Sequence, residues 1–347
     1  MKVTVEPHTM EGECAMDGIT RRQVIKLLGI SGWVWLAQGA GARRVLAQTK
    51  VRLSIATGGT GGVYYPLGGG MAALISKFLP GVEATAEVTT ASVDNMKLLH
   101  VGKIGLALTL PDTAWEAHEG KLRGLSERVA VRSLAALYSN YMHIVALEGS
   151  GIRSVADLKG KRVSTGAPGS GTEVKGLRVL EAYGITPKDL RSQDRLGAGE
   201  SAGALKDRKL DAFIWDGGLP TAAVLDLAAT PGIKIAIIPH GDAVPKMVAK
   251  YGPLYFAGTI PKETYAGMTA DVPVAVATNL LVAHERMEEG LAYQITKVML
   301  EHTPELVAVH KAAQEITLKS AAVGSPVPFH PGALRYFREK GIKVPAS

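Results

Sequence analysis

Two glycine-rich turns carry the strongest chemical suggestion in this chain. The stretch "SIATGGTGGVYYPL" (54–67) sets Gly58, Gly59, Gly61 and Gly62 between a β-type run and an apolar helical stripe. "STGAPGSGTEVKG" (164–176) joins strand to helix through Gly166, Pro168, Gly169 and Gly171, with Ser170 and Thr172 at the helix start. Turns of this kind expose backbone N–H groups at a helix N-terminus, where the partial positive charge favours an anion. Glycine also lets a ligand approach the backbone closely. Neither nucleotide motif is present in the first turn. It holds no Gly-Lys-Ser/Thr ending, and Tyr64 stands where the dinucleotide pattern needs its third glycine. Each turn is also compatible with a purely structural role, as is Ser170 or Thr172 with a helix cap worth ~1 kcal/mol. Together they suit a cleft that grips a small anion with two acidic ends.

Other chemistries lack their residues. The one cysteine, Cys14, precedes the N-terminal apolar run, so a processed chain has no disulfide, thiolate metal site or cysteine nucleophile. The nine histidines are dispersed, none forming a short-spaced ligand pair with another, and no cofactor is expected. No serine is read as an activated nucleophile, so an enzyme is not expected. The net charge of +7 is spread over the chain without a basic run or a nucleic-acid motif, which argues against nucleic-acid binding.

The elements that would position the turns alternate. Val63, Leu67, Met71, Leu74, Ile75 and Phe78 make one helical stripe after the strand "VRLSIAT". Pro80-Gly81 ends it, "VEATAEVT" is a strand, 92–100 a helix and "IGLALTL" a strand. Asp112 is expected to cap a short helix. "LAALYS" and "MHIVALE" follow as two strands, and the strand–helix alternation then repeats through "KRVSTG", 170–183, "GESAGALKDRKL", "DAFIWD", 219–229 and "IKIAIIP". The alternation predicts an α/β fold of two lobes, each a mostly parallel sheet flanked by helices. "VPVAVATNLLVA" (272–283) is twice the usual strand length and suits a crossover between lobes, with "MHIVALE" crossing the other way. The expected organisation is 48–142 plus 276–347 in lobe 1 and 143–275 in lobe 2.

The N-terminus, 1–47, reads as an export signal. Arg21, Arg22 and Lys26 precede an uncharged stretch from Leu27 to Ala42 and a small-residue cleavage pattern at Val45-Leu46-Ala47. Cleavage near Ala47 would leave a periplasmic protein that is not membrane-embedded once processed. "TRRQVIK" resembles the twin-arginine export motif.

The segments "TGGTGGVYYPLGGGMAALISK", "ATAEVTTASVDNMKLL", "ALYSNYMHIV", "SGIRSVADLKGKRVSTGAPGSGTEVKG", "DAFIWDGGLPTAAVLDLA" and "PFHPGALRYFREKG" resemble the TAXI family, the solute receptors of TRAP-type secondary transporters. The similarity runs from about residue 51 to 341. It implies a type II periplasmic binding protein that closes its lobes on a small carboxylate such as glutamate, glutamine or 2-oxoglutarate. The closed form would deliver that ligand to TRAP-type integral membrane permease subunits. A clam-shell sensing module for a membrane sensor kinase is the alternative. Matched onto the family's ligand loops, the implied binding residues are Thr60, Gly61 and Tyr64, then Ser92 as a helix N-cap and Asn95 one turn on. Pro168, Ser170, Gly171 and Thr172 complete the set in the second lobe. Two departures stand out. Leu110-Pro111 replaces a polar pair, and Asp216 introduces a carboxylate where a small or apolar residue is usual. Asp216 is either a solvated turn residue or, facing the cleft, a partner for an ammonium group that would repel a dianion.

Overall fold

The computed structural model describes residues 50–345, so the export signal and its cleavage point lie outside the described residues. The first elements are β1 (Val51–Ala56), α1 (Tyr64–Phe78), β2 (Val82–Glu87), α2 (Ser92–His100), β3 (Leu106–Thr109), α3 (Pro111–His118) and β4 (Val131–Leu147). There follow β5 (Arg162–Ser164), α4 (Gly171–Ala182), β6 (Ser192–Asp194), α5 (Ala198–Lys206), β7 (Ala212–Gly217) and α6 (Ala222–Ala228). Then come β8 (Ile235–Ile237), α7 (Val244–Tyr251), β9 (Phe256–Ile260), β10 (Val272–His284), α8 (Glu289–Glu301), α9 (Thr303–Val309) and α10 (Pro331–Glu339).

All ten strands belong to one hydrogen-bonded sheet, in the order β2-β1-β3-β10-β4-β7-β5-β6, with β8 on β4 and β9 on β10. The outer pairs, β1 with β2 and β3 and β5 with β6 and β7, are parallel as expected. The middle is antiparallel, because β10 pairs with β3 and β4, and β4 with β7. The expected strands "LAALYS" and "MHIVALE" are one strand: β4 runs 17 residues without a break. No glycine or proline interrupts it, and the Ser139-Asn140-Tyr141 link keeps its ladder bonds to β10. The crossover expected of 272–283 is β10, 13 residues long.

Apolar side chains divide along these two strands. One pair of core clusters draws on segments before Tyr138 and after Leu280, the other on residues between Met142 and Ala277 with Leu110 added. The result is a two-lobed α/β fold, with β4 and β10 running through both lobes. Their register slips between Thr278 and Leu280, leaving Asn279 at the irregularity. Such a bulge re-aims a side chain. Asn279 Nδ2 donates to the Tyr138 carbonyl at 2.9 Å and to Asn140 Oδ1 at 2.7 Å, while its Oδ1 accepts from the Tyr64 hydroxyl at 2.5 Å.

The C-terminal helix closes the first lobe against α8. Gly332 is the point of closest approach: an added Cβ would lie 2.2 Å from the Glu289 carbonyl oxygen and 2.6 Å from the Tyr293 nitrogen. These are backbone atoms and cannot swing aside. Gly332→Ala is therefore expected to lower stability by about 1–3 kcal/mol, read as a lower denaturant midpoint at unchanged slope.

Candidate functional site

The glycine turns of the two lobes face each other across a cavity of about 290 Å³. The first lobe lines it with 58–64, 88–92 and Leu110, the second with Ala167, 170–172, 197–200 and 215–217, and β4 adds Tyr138 and Asn140. Helices α1, α2, α4 and α5 begin here, the Val93 and Asp94 amides of α2 being taken by the Gly169 carbonyl. The backbone N–H groups of Thr60 and Gly61 ahead of α1 and of Tyr64 at its start, of Gly171 and Thr172 of α4, and of Ala198 and Gly199 of α5 have no acceptor among the described residues. Among the described residues no lysine or arginine lines the cavity; Glu200 and Asp216 do, Asp216 with its carboxylate fully buried behind the wall. An anion bound here is thus met by amides and helix termini rather than by side-chain cations.

Of the residues expected from sequence, Thr60, Gly61, Tyr64, Ser92, Ser170, Gly171, Thr172 and Asp216 are brought together in this lining. Several act otherwise than expected. Ser92 is the first helical residue of α2 and not its cap. Ala91 holds the cap position at φ 86°, ψ −144°, a region that a residue with a Cβ rarely occupies, and Ser92 Oγ accepts from the Leu110 N–H at 3.2 Å. Ser170 does cap α4, accepting from the Glu173 N–H at 3.1 Å and donating to the Ala167 carbonyl at 2.7 Å. Thr172 Oγ1 accepts from the Asp216 N–H at 3.2 Å. These hydroxyls hold the turn and leave its amides for the cavity. Gly171 is needed for approach across the cleft: an added Cβ would lie 2.5 Å from Leu110 Cδ1 and 2.7 Å from Ser92 Oγ.

Two expected residues stand outside the lining. Pro168 is exposed and is not among the residues that line the cavity. Asn95 is fully buried, its Nδ2 donating to the Thr57 and Leu108 carbonyls at 2.8 Å and its Oδ1 accepting from Thr89 Oγ1 at 2.6 Å. All its hydrogen-bonding capacity ties α2 to β1 and β3. Asp112 likewise does not cap α3. Leu110 does so from the backbone, and Asp112 lies in the first turn with its carboxylate turned to the second lobe.

Asp216 is not a solvated turn residue. It lies at the end of β7 with its side chain fully buried, and Oδ1 is 2.7 Å from Nζ of the equally buried Lys175, which also donates to the Asn140 carbonyl at 3.2 Å. Oδ2 of Asp216 and the Tyr138 hydroxyl have no partner among the described residues, and both residues line the cavity. Burial pushes the Asp216 carboxyl up, while Lys175 beside it pulls the other way. Burial also pushes the Tyr64 and Tyr138 hydroxyls well up, so both remain neutral donors.

Trp215, Asn140, Tyr138 and the 197–200 turn were not expected in the site. Trp215 is fixed by its Nε1 donating to Thr221 Oγ1 at 3.0 Å. The third turn carried the same signal as the other two, since "RLGAGE" puts Gly197 and Gly199 between a strand and a helix. The spelling G-x-S-x-G also occurs, at Gly199-Glu200-Ser201-Ala202-Gly203, and is missed by the reading from sequence. It does not form a nucleophile elbow. Ser201 is buried inside α5, with its Oγ 2.9 Å from Ser164 Oγ and 3.4 Å from the Leu196 carbonyl, away from the strand–helix corner that an elbow needs.

The lobes touch directly around the cavity. The Gly61 carbonyl accepts from the Ala223 N–H at 3.3 Å, and the Gly169 carbonyl from the N–H groups of Val93 and Asp94 at 3.1 and 3.2 Å. Arg178 of α4 donates to Asp112 Oδ2 at 3.0 Å and to the Tyr255 hydroxyl at 2.5 Å, and also bonds Glu116. Two lobes gripping a small, amide-lined and largely apolar cavity define a small-solute binding cleft.

The chain belongs to the NMT1-like family, which it matches over residues 55–341. Among solved structures, a protein of Bordetella bronchiseptica RB50 is similar at 17% identity, covering 84% of this chain and 89% of that one with a TM-score of 0.51. The periplasmic aliphatic sulphonate binding protein SsuA of Escherichia coli matches at 14% identity, 83% of each chain and a TM-score of 0.43. PhnD1 of Prochlorococcus marinus, solved with methylphosphonate, matches at 11% identity, 75% and 89% coverage and a TM-score of 0.48. Fold is the content of the first likeness; the other two are more distant.

The buried bonds of Asn95 make a test of its placement. Asn95→Ala removes the amide that bonds the Thr57 and Leu108 carbonyls and the Thr89 hydroxyl, of which Thr57 and Thr89 keep a bond to each other, at about 1–3 kcal/mol for a group left unsatisfied. Denaturant unfolding of the ligand-free protein is expected to show this loss. Unchanged stability with weakened ligand binding would instead return Asn95 to the cleft.

Proposed function

We propose that this protein is a periplasmic receptor of the TAXI type, exported by a twin-arginine signal removed near Ala47. In this reading it captures a small carboxylate of the glutamate, glutamine or 2-oxoglutarate class by closing lobe 1 (48–142 plus 276–347) on lobe 2 (143–275). It then hands the ligand to a TRAP-type membrane permease. No helix among the described residues is long and apolar enough to cross a membrane, consistent with a separate permease. The observation that carries the reading is the set of partnerless amides from both lobes at one cavity with no cationic side chain in its lining. Such a site can hold one carboxylate group on amides contributed by the Gly61 and Gly171 turns. Its selectivity for closure follows, because a ligand favours the closed form only through contacts made to both lobes at once.

The same lining ranks the ligand class. A second carboxylate would approach Asp216 and Glu200 without a cation to meet it, whereas an ammonium group finds Asp216 Oδ2 and a neutral donor also finds the Tyr138 oxygen. L-glutamine and L-glutamate are therefore expected to bind more tightly than 2-oxoglutarate.

A thermal-shift screen of protein refolded to remove bound solute tests this. A ligand at 100 times its Kd adds about 2.7 kcal/mol to the folded state. The expected outcome is a shift with L-glutamine or L-glutamate that is larger than with 2-oxoglutarate and is lost or reversed in order in Asp216→Asn. A shift with none of these carboxylates would remove the ligand class.

A further inference from the structure

We propose that Lys175, which touches no ligand itself, is the positioning residue that holds Asp216 as a fixed carboxylate with its second oxygen left for the solute. This rests on the reading of the cleft as a solute site and deepens it. Lys175 lies in the first half of α4 and its side chain has no exposed surface. Its Nζ bonds Asp216 Oδ1 and the Asn140 carbonyl, two groups whose residues line the cavity, while Lys175 itself does not.

Stability does not account for the pair. A wholly buried lysine and aspartate lose their hydration, and well-packed apolar residues in place of such a pair are often neutral or stabilising. The lysine also stands near a helix N-terminus, where the dipole disfavours a cation. What the pair achieves is geometric and electrostatic. Lys175 occupies one Asp216 oxygen and so sets the orientation of the carboxylate, while the Thr172 hydroxyl receives the Asp216 backbone N–H and holds the end of β7 in place. The other groups acting on the pair leave it alone as the charged unit of this wall. Asp112 adds repulsion to Asp216, and the nearby Tyr64 and Tyr138 stay protonated. His143 and His240, which face Lys175, are held neutral by burial at about 3 and about 4 respectively. Without Lys175 the buried Asp216 would take up a proton near neutrality and offer a hydroxyl donor where the ammonium needs an acceptor.

The test is Lys175→Met, read in two ways. Carboxyl ¹³C NMR of aspartate-labelled protein, with the Asp216 signal assigned by Asp216→Asn, is expected to show a carboxylate at about pH 7 in the wild type and a protonated acid in the variant. An ionised Asp216 in Lys175→Met at that pH overturns the proposal, and this arm needs no ligand. In the second arm, L-glutamine affinity of the variant is expected to fall at least about tenfold near pH 7 and to recover as rising pH ionises Asp216, while the wild type stays flat. Equal affinities, or a loss that does not recover with pH, overturn it. A wild type that binds neither L-glutamine nor L-glutamate sinks the ligand reading, and the NMR arm still decides the role of Lys175. If Lys175→Met does not fold, the double variant Lys175→Met/Asp216→Asn is expected to fold, since the unpaired buried carboxylate is gone. Failure of both would mean that Lys175 serves packing and overturn the proposal.

Discussion

The antiparallel pairing of β4 with β10 is the constraint on which the rest of the molecule depends. These strands are long enough to enter both lobes, and no proline or glycine breaks either one in its middle. A chain that crosses twice in a single sheet fixes the lobes side by side and brings the C-terminal edges of their parallel strands toward one another. Ligands of open α/β sheets bind at that edge. The slip at Asn279 is where the pairing yields. The asparagine placed there ties Tyr64 of the first lobe to Tyr138 and Asn140 of β4, so the tyrosine walling the cavity is held from beneath by the crossover itself.

From that geometry the electrostatics of the cleft follow. The turns that open α1, α4 and α5 leave amides without a protein acceptor at the cavity, and among the described residues no lysine or arginine lines it. Positive side chains around the site are spent on protein carboxylates: Lys175 on Asp216, Arg178 on Asp112 and Glu116, and Arg195 on Glu173. Helix-terminal amides are weak but fixed, and in a space screened from water they cost no rearrangement when a carboxylate arrives. Long cationic side chains would bind an anion more strongly and more indiscriminately. Under the proposed function this arrangement favours one anionic group and disfavours a second.

Much of this was legible in the sequence, for reasons that differ by element. Period-3.6 stripes and flanking glycines placed α1, α2 and α4 closely, because those helices bury one face and end at strong breakers. The glycine turns pointed to the cleft because backbone exposure is a local property. Asn95 and Asp112 misled for the converse reason. A polar residue at a helix start has the same appearance in sequence whether it caps the helix, meets a ligand or crosses to another element, and only packing decides. Asn95 finds carbonyls on two strands, and Asp112 finds Arg178 sixty-six positions on. Lys175 was invisible for the same cause: at its position on α4 an exposed lysine would be ordinary, and nothing local says that Asp216 will lie above it. Tyr138 and Trp215 stood within motifs already noticed, but which face of β4 or β7 meets the cavity depends on register across the crossover.

Closure and binding share one set of backbone groups. The Gly61 turn presents amides to the cavity and, on its other side, a carbonyl to Ala223 of the opposite lobe. The Gly169 turn does the same in reverse: the amides that follow it face the cavity, and its carbonyl takes the first amides of α2. In the proposed reading, a turn that shifts to receive a carboxylate also shifts its grip on the other lobe. Each of these hydrogen bonds is worth about 0.5–1.5 kcal/mol net, and with the Arg178 cluster they join the two lobes around the cavity; in the proposed reading this is the closed form. What remains for the solute is the difference between the two forms, and a few kcal/mol of differential contact is enough to move a two-state population from mostly open to mostly closed. Peptide groups shared in this way explain why glycine recurs in these turns: the positions are read on both faces, and a side chain on either would stand between the lobes.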